Sequence, residues 1–198
     1  MSDAAPRPAP ARLAVLISGG GRSLVNLHDR VLDGTVPATI ELVVASRECP
    51  GSARARARGL RTVVVEGEIP PDRLGDLLRG ARVDWVVLAG YLKYLHVPPG
   101  FAGRVVNIHP ALLPEFGGKG MYGHRVHEAV LRSGARESGC TVHLVDDRFD
   151  HGPILLQRRC QVLPADTPDT LADRVFELEK RALPEALAAL IRSEGARR

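Results

Sequence analysis

Trp85-Val86-Val87-Leu88 is apolar at every position and too short to make a helix of its own. A strand with one wet face would alternate apolar and polar side chains, because successive residues point to opposite faces. A strand with no polar face must be covered on both sides. That is the situation of a parallel sheet, whose crossover helices lie against both faces. The expected strand spans 84–89, and its demand for cover constrains everything around it.

The rest of the chain supplies that cover. Strands are expected at 12–18, 39–46, 62–66 and 104–109. Helical patterns separate them. Leu24, Leu27 and Val31 share one helix face. A short helix is expected over 52–58, and a helix over 70–80 carries proline in its first turn. The stretch 90–95 reads as a turn or a short helix. Gly117-Gly118-Lys119-Gly120 leads into a helix near 124–133, and a long helix spans 167–192 with an expected kink at Pro184. Strands at 140–145 and 154–162 are joined only by Asp146–Pro153, so they are expected to pair antiparallel at one end of the sheet. The alternation predicts a single α/β domain, with a mostly parallel twisted sheet and helices on both faces. Residues 1–11 are rich in Pro and Ala and lack the apolar centre of a signal peptide. They are expected to be a disordered arm, leaving 12–198 as the domain.

Composition excludes more than it identifies. The net charge is +4, and only Lys93, Lys119 and Lys180 among the 27 basic residues are lysines. Arginines cluster at 53–61 and at the C-terminus, without interleaved aromatics, so no nucleic-acid partner is expected. Solvated helix faces with a mild pull on anionic metabolites are the plain reading. Cys49, Cys140 and Cys160 are far apart and odd in number, which fits neither a metal site nor a disulfide framework. A reducing, cytoplasmic setting is expected. No apolar run approaches a membrane span.

Chemistry is carried by two stretches. Val105-Val106-Asn107-Ile108-His109-Pro110 puts an amide and an imidazole two residues apart at the end of a strand. They project from the same face, at the carboxyl edge where open sheets place ligands. An amide that polarises a carbonyl, beside a group that titrates near neutrality, suggests acyl or formyl transfer, or hydrolysis. Asp150-His151-Gly152-Pro153 places a carboxylate on a tight loop. Alone it is a turn-stabilising aspartate; beside His109 it would favour the imidazolium and raise the histidine's pKa. Ser18-Gly19-Gly20-Gly21-Arg22-Ser23 opens a helix after the first strand. It is either a structural turn or a single phosphate site, where glycine lets backbone N–H groups approach an anion and Ser23 can cap the helix. It is neither a Walker loop nor a full dinucleotide fingerprint. Thr141 and His143 share one strand face.

In order along the chain, Leu16–Gly21, Val87–Lys93, Asn107–Pro114, Gly139–His143 and Asp150–Ile154 resemble the phosphoribosylglycinamide formyltransferase family. The resemblance implies a formyltransferase fold with a Rossmann-like N-terminal half. It implies Asn107, His109 and Asp150 as catalytic residues, and Gly20, Gly21, Arg22 and Ser23 at the substrate phosphate. It implies Glu179 at the glycinamide portion. Leu92, Lys93, Tyr94, Leu95, Asn107, Thr141, His143 and Asp146 fall on the folate site. The implied reaction moves a formyl group from 10-formyltetrahydrofolate to 5′-phosphoribosylglycinamide in purine biosynthesis, without a metal, in a possible homodimer. Two departures from the pattern matter. Arg22 and Ser23 stand where the family often has small or amide residues, and Arg73 is the candidate replacement for an arginine usual in the 69–73 segment. The alternative within the superfamily is formyltetrahydrofolate hydrolysis, whose enzymes usually carry a further N-terminal domain. Methionyl-tRNA formyltransferase shares the Asn–His–Asp set but needs an RNA-binding domain. A non-catalytic binder of phosphorylated metabolites is the reading from another class.

Overall fold

The computed structural model describes residues 9–195, so most of the expected arm lies outside the described residues. Ala11, expected in the arm, is the first residue of a strand. The strands are Ala11–Ile17 (β1), Ala38–Ala45 (β2), Thr62–Val64 (β3), Trp85–Leu88 (β4), Val105–His109 (β5), Glu137–Leu144 (β6) and Ile154–Gln161 (β7). They form one sheet in the order β3-β2-β1-β4-β5-β6-β7. Pairings from β3 through β5 are parallel, and β6 runs antiparallel to both β5 and β7. The helices are Arg22–Leu32 (α1), Pro50–Ala57 (α2), Pro71–Gly80 (α3), His124–Ser133 (α4) and Pro168–Gly195 (α5).

The all-apolar run Trp85–Leu88 is buried along its whole length, and the reason is visible on both faces. Leu24 and Leu27 of α1, Ala55 of α2, Val130 of α4 and Leu171, Val175, Leu183 and Leu187 of α5 pack with Trp85 and Val87 on one face. Leu74 and Leu78 of α3, with Phe101, pack with Val86 and Leu88 on the other. The chain goes from β1 outward to β2 and returns to β4 on the other side of β1. That reversal opens a crevice at the carboxyl ends of β1 and β4, the place where open sheets bind ligands.

Four local details correct or resolve the expectations. β6 starts at Glu137, three residues early, because Glu137, Ser138 and Gly139 pair with Gln161, Cys160 and Arg159 of β7. Of the two alternatives for 90–95 the non-helical one holds: it is a bent loop, pinned where the Leu92 N–H donates to Ser18 Oγ at 2.9 Å. α1 is capped by Gly21, in the left-handed region at φ 72°, and not by Ser23; no side chain bonds its first turn. α5 runs through Pro184 without a break. Proline lacks the N–H that would bond the carbonyl of Lys180, four residues back. Asn26 Nδ2 donates to that carbonyl instead, at 2.9 Å.

Candidate active site

Asn107 and His109 leave β5 on the same side, as the strand's period requires, and Pro110 ends the run. The opposite wall comes from the β6–β7 connection. There Asp150 sits in the left-handed region at φ 53°, a conformation Asp tolerates better than most residues. Its carboxylate is the hub of the site. Oδ1 accepts from Asn107 Nδ2 at 3.3 Å and lies 3.6 Å from His143 Nε2. Oδ2 lies 3.5 Å from His109 Nδ1 and accepts the Gly118 N–H at 3.0 Å. The structure thus brings together the three residues expected to be catalytic and adds His143 to them.

Partners settle the tautomers. A carbonyl only accepts, so His143 Nδ1 donates to Leu144 O at 2.8 Å, and its Nε2 accepts from Asn107 Nδ2 at 3.1 Å. The amide nitrogen of Asn107 is therefore held between His143 and Asp150. By the same rule His109 Nε2 donates to Phe116 O at 2.8 Å, which turns Nδ1 toward Asp150.

The expected rise in the His109 pKa is corrected. His109 is 3% exposed. Burial penalises its charged form and holds it below the usual histidine value, against the opposing pull of the Asp150 carboxylate and the Phe116 carbonyl. Burial works on Asp150 the other way and would raise it. The neighbouring His143 and His109 imidazoles and the Gly118 N–H together keep it below the ordinary aspartate value. The free site thus holds an ionised carboxylate beside a largely neutral imidazole, with a vacant ring position facing the carboxylate.

The cavity in front of these groups has a volume of about 350 Å³. Arg22, Ser23 and Glu179 line one end; Leu92, Lys93, Tyr94 and Leu95 line the other, with His143 and Asp146. Burial pushes the Glu179 carboxyl up to about 7, with the Arg22 charge acting in the opposite direction. Arg22 lies over Phe176, its guanidinium carbon 3.9 Å from the ring centre, and pairs with Asp173 at 3.1 Å. Tyr94 donates to the Asp147 carbonyl at 2.7 Å and packs edge-on against Phe149, 4.9 Å between ring centres. The segment under the cavity is thereby tied to the loop that carries Asp150.

Some expected site residues are elsewhere. Thr141 does not line the cavity. It is fully buried, donates to the Ala111 carbonyl at 2.6 Å and accepts the Leu113 N–H at 3.0 Å. Gln157 Nε2 donates to its second lone pair at 3.0 Å, so the hydroxyl fixes the turn after β5 and has no capacity left for a ligand. Gly20 is exposed and Gly21 faces inward; neither is on the cavity wall. A Cβ on Gly21 would stand 2.7 Å from the Gly51 Cα, so this glycine serves the packing of the loop on α2. Arg73 is exposed on α3 and outside the cavity. The sequence reading passed over the Phe116 carbonyl, Phe149, Phe176 and His127. Of these only His127 carried a signal: it recurs three residues after His124, on the helix face turned to the sheet.

Fold and site define an open-sheet α/β protein with an amide–imidazole–carboxylate centre at its carboxyl edge. The chain belongs to the formyl transferase family, whose model matches residues 11–187. It is 42% identical over 193 residues to the chloroplastic phosphoribosylglycinamide formyltransferase of Arabidopsis thaliana, covering 92% of this chain and 66% of that protein. To the phosphoribosylglycinamide formyltransferase of Haemophilus influenzae it is 35% identical, covering 87% of this chain and 84% of the relative. The crystal structure of glycinamide ribonucleotide transformylase 1 from Symbiobacterium toebii superposes with a TM-score of 0.84 at 34% identity, over 92% of this chain and 88% of that one. The chain thus spans just under two thirds of the length of the plant relative.

Proposed function

We propose that this protein transfers the formyl group of 10-formyltetrahydrofolate to the primary amine of 5′-phosphoribosylglycinamide. The observation that carries the reading is the Asp150 hub, which holds Asn107 and His109 on one wall of a cavity that has a separate acidic end at Glu179. In this reading the pteridine lies along Leu92–Leu95 and under Tyr94 and Phe149. The ribonucleotide enters from the α1 side, its phosphate at the uncapped first turn of α1 beside Arg22 and its glycinamide at Glu179.

The amine attacks as the free base. A C–N bond forms, the formyl oxygen becomes an oxyanion, and collapse breaks the bond to N10. The amine loses a proton and N10 gains one. Asn107 Nδ2 is the donor nearest the developing charge. Its longer contact, the 3.3 Å bond to Asp150, is the one an incoming oxygen takes over. A donor of this kind is worth ~3 kcal/mol in related chemistry. His109 starts largely neutral. Charge growing on the oxyanion favours a proton on Nδ1, where Asp150 stabilises it, and the pair relays that proton to N10. Glu179, titrating near neutrality, accepts from the glycinamide group.

The test is tetrahydrofolate formation by purified protein with and without the ribonucleotide. Turnover only in its presence supports transfer. Equal turnover in its absence indicates hydrolysis and overturns the reading.

A further inference from the structure

Outside the catalytic cavity three helices meet at a groove of about 320 Å³. Each brings a pair of side chains four residues apart: Arg22 and Asn26 from α1, Arg54 and Arg58 from α2 and its cap, and Phe176 and Lys180 from α5. Residues at that spacing lie on one helix face, so three helix edges converge on one space. Four of the lining residues are cations, and Asp29 is the one carboxylate among them.

The ion pairs around the groove are uneven. Arg22 pairs with Asp173 and Lys180 with Glu177. Arg56, on the other side of α2, pairs with Glu48 at 2.7 Å. Arg54 and Arg58 have no carboxylate partner among the described residues. Arg54 instead donates to the Gly20 carbonyl at 2.6 Å, which fixes its guanidinium against the glycine loop. Like charges four residues apart on a helix repel. Folding therefore gains nothing from setting Arg54 beside Arg58, whereas an anion between them would relieve the repulsion. Guanidinium groups suit phosphate oxygens, which they can bind through two parallel bonds. The groove also borders the catalytic cavity, since the stacked Arg22 and Phe176 line both.

We propose that this groove is a second anion site, built for a phosphate-type group, and that a polyphosphate chain spans it and the glycine loop of α1. Ligands with linked phosphates would bind more tightly than a single phosphate and would compete with a phosphorylated substrate. The spanning, though not the groove itself, rests on the phosphate reading of the loop given above.

Calorimetry on the full chain tests this without turnover, using orthophosphate, tripolyphosphate and adenosine triphosphate as probes. Tripolyphosphate should bind about tenfold or more tightly than orthophosphate, the scale of added charge-assisted bonds. The double variant Arg58→Ala, Lys180→Ala should lose that advantage and the orthophosphate bound at the groove, while keeping formyl-transfer turnover. Both residues are on the surface, and Arg58→Glu alone provides a second, charge-reversing check. Adenosine triphosphate matching tripolyphosphate would mean that the chain alone is read; tighter binding would add a nucleoside contact. Equal affinity for ortho- and tripolyphosphate, or an undiminished preference in the double variant, overturns the proposal. A failed formyl-transfer assay would leave the calorimetric result standing, so the two readings fail separately.

Discussion

Replacing Asp150 by asparagine removes one charge and exchanges the weak 3.3 Å bond from Asn107 for an amide N–H donor. Asparagine also tolerates the left-handed backbone that Asp150 adopts at φ 53°, so the loop can keep its course. An amide oxygen can still accept the Gly118 N–H. What disappears is the carboxylate 3.5 Å from His109 Nδ1. At that distance two unit charges interact by about 5 kcal/mol at an effective dielectric near 20, a ceiling that relaxation reduces. The carboxylate favours the imidazolium, and burial already holds His109 below its usual value. Removing the carboxylate must therefore move the titration further down, by about one pH unit or more. Less imidazolium is then available as the oxyanion forms, and kcat should fall by ~100-fold or more, the scale of lost acid–base or electrostatic catalysis. The ribonucleotide KM should stay close to the parent value, because its proposed contacts lie at the Arg22 end. Imidazole NMR titration of His109 reads the cause and steady-state kinetics read the effect. A His109 midpoint that does not move would refute the pairing even if activity fell, leaving Asp150 as a residue that only shapes the loop.

His127 is 4% exposed and burial pushes it down to about 4. The unfolded chain takes up this proton near pH 6.5 and the folded one only near 4, so stability present above ~6.5 declines as pH falls through that window, by up to ~3 kcal/mol. Urea unfolding at several pH values should show a shallower acid decline for His127→Leu; an unchanged slope would assign the loss to other groups. Tyr94→Phe removes the bond to the Asp147 carbonyl, a contact worth ~1 kcal/mol. It should raise the folate KM several-fold and leave the ribonucleotide KM alone; equal changes in both would contradict its place in the folate loop. Gly21→Ala combines a left-handed φ with a Cβ 2.7 Å from Gly51, and thermal unfolding should show a loss of more than ~1 kcal/mol. Gly20→Ala, whose Cβ would meet only the Arg54 guanidinium at an ordinary 3.9 Å, should melt like the parent.

The strands themselves and the shared face of Asn107 and His109 were legible because they depend on short-range rules, whereas the role of Asp150 came from the resemblance and its place beside them is long-range. Period-two alternation alone puts Asn107 and His109 on one face, and an all-apolar Trp85–Leu88 demands cover on both. The failures mark where tertiary context takes over. Thr141 and His143 have the same alternation, yet one faces the cavity and the other lies under the Ala111–Leu113 turn, whose path local pattern does not encode. The His109 pKa went the wrong way because proximity to a carboxylate is readable from motifs, whereas the depth of burial that outweighs it is a property of the packed domain. α5 continues through Pro184, and Asn26, 158 residues earlier, bonds the carbonyl that proline leaves free, a partner that no local pattern announces. The arginine run at 53–61 is the intermediate case. A helical period puts Arg54 and Arg58 on one face and Arg56 near the opposite one. That much was available from the spacing. Which face would meet α1 and α5 was not, and the answer separates an arginine paired with Glu48 from two turned toward the glycine loop and its groove.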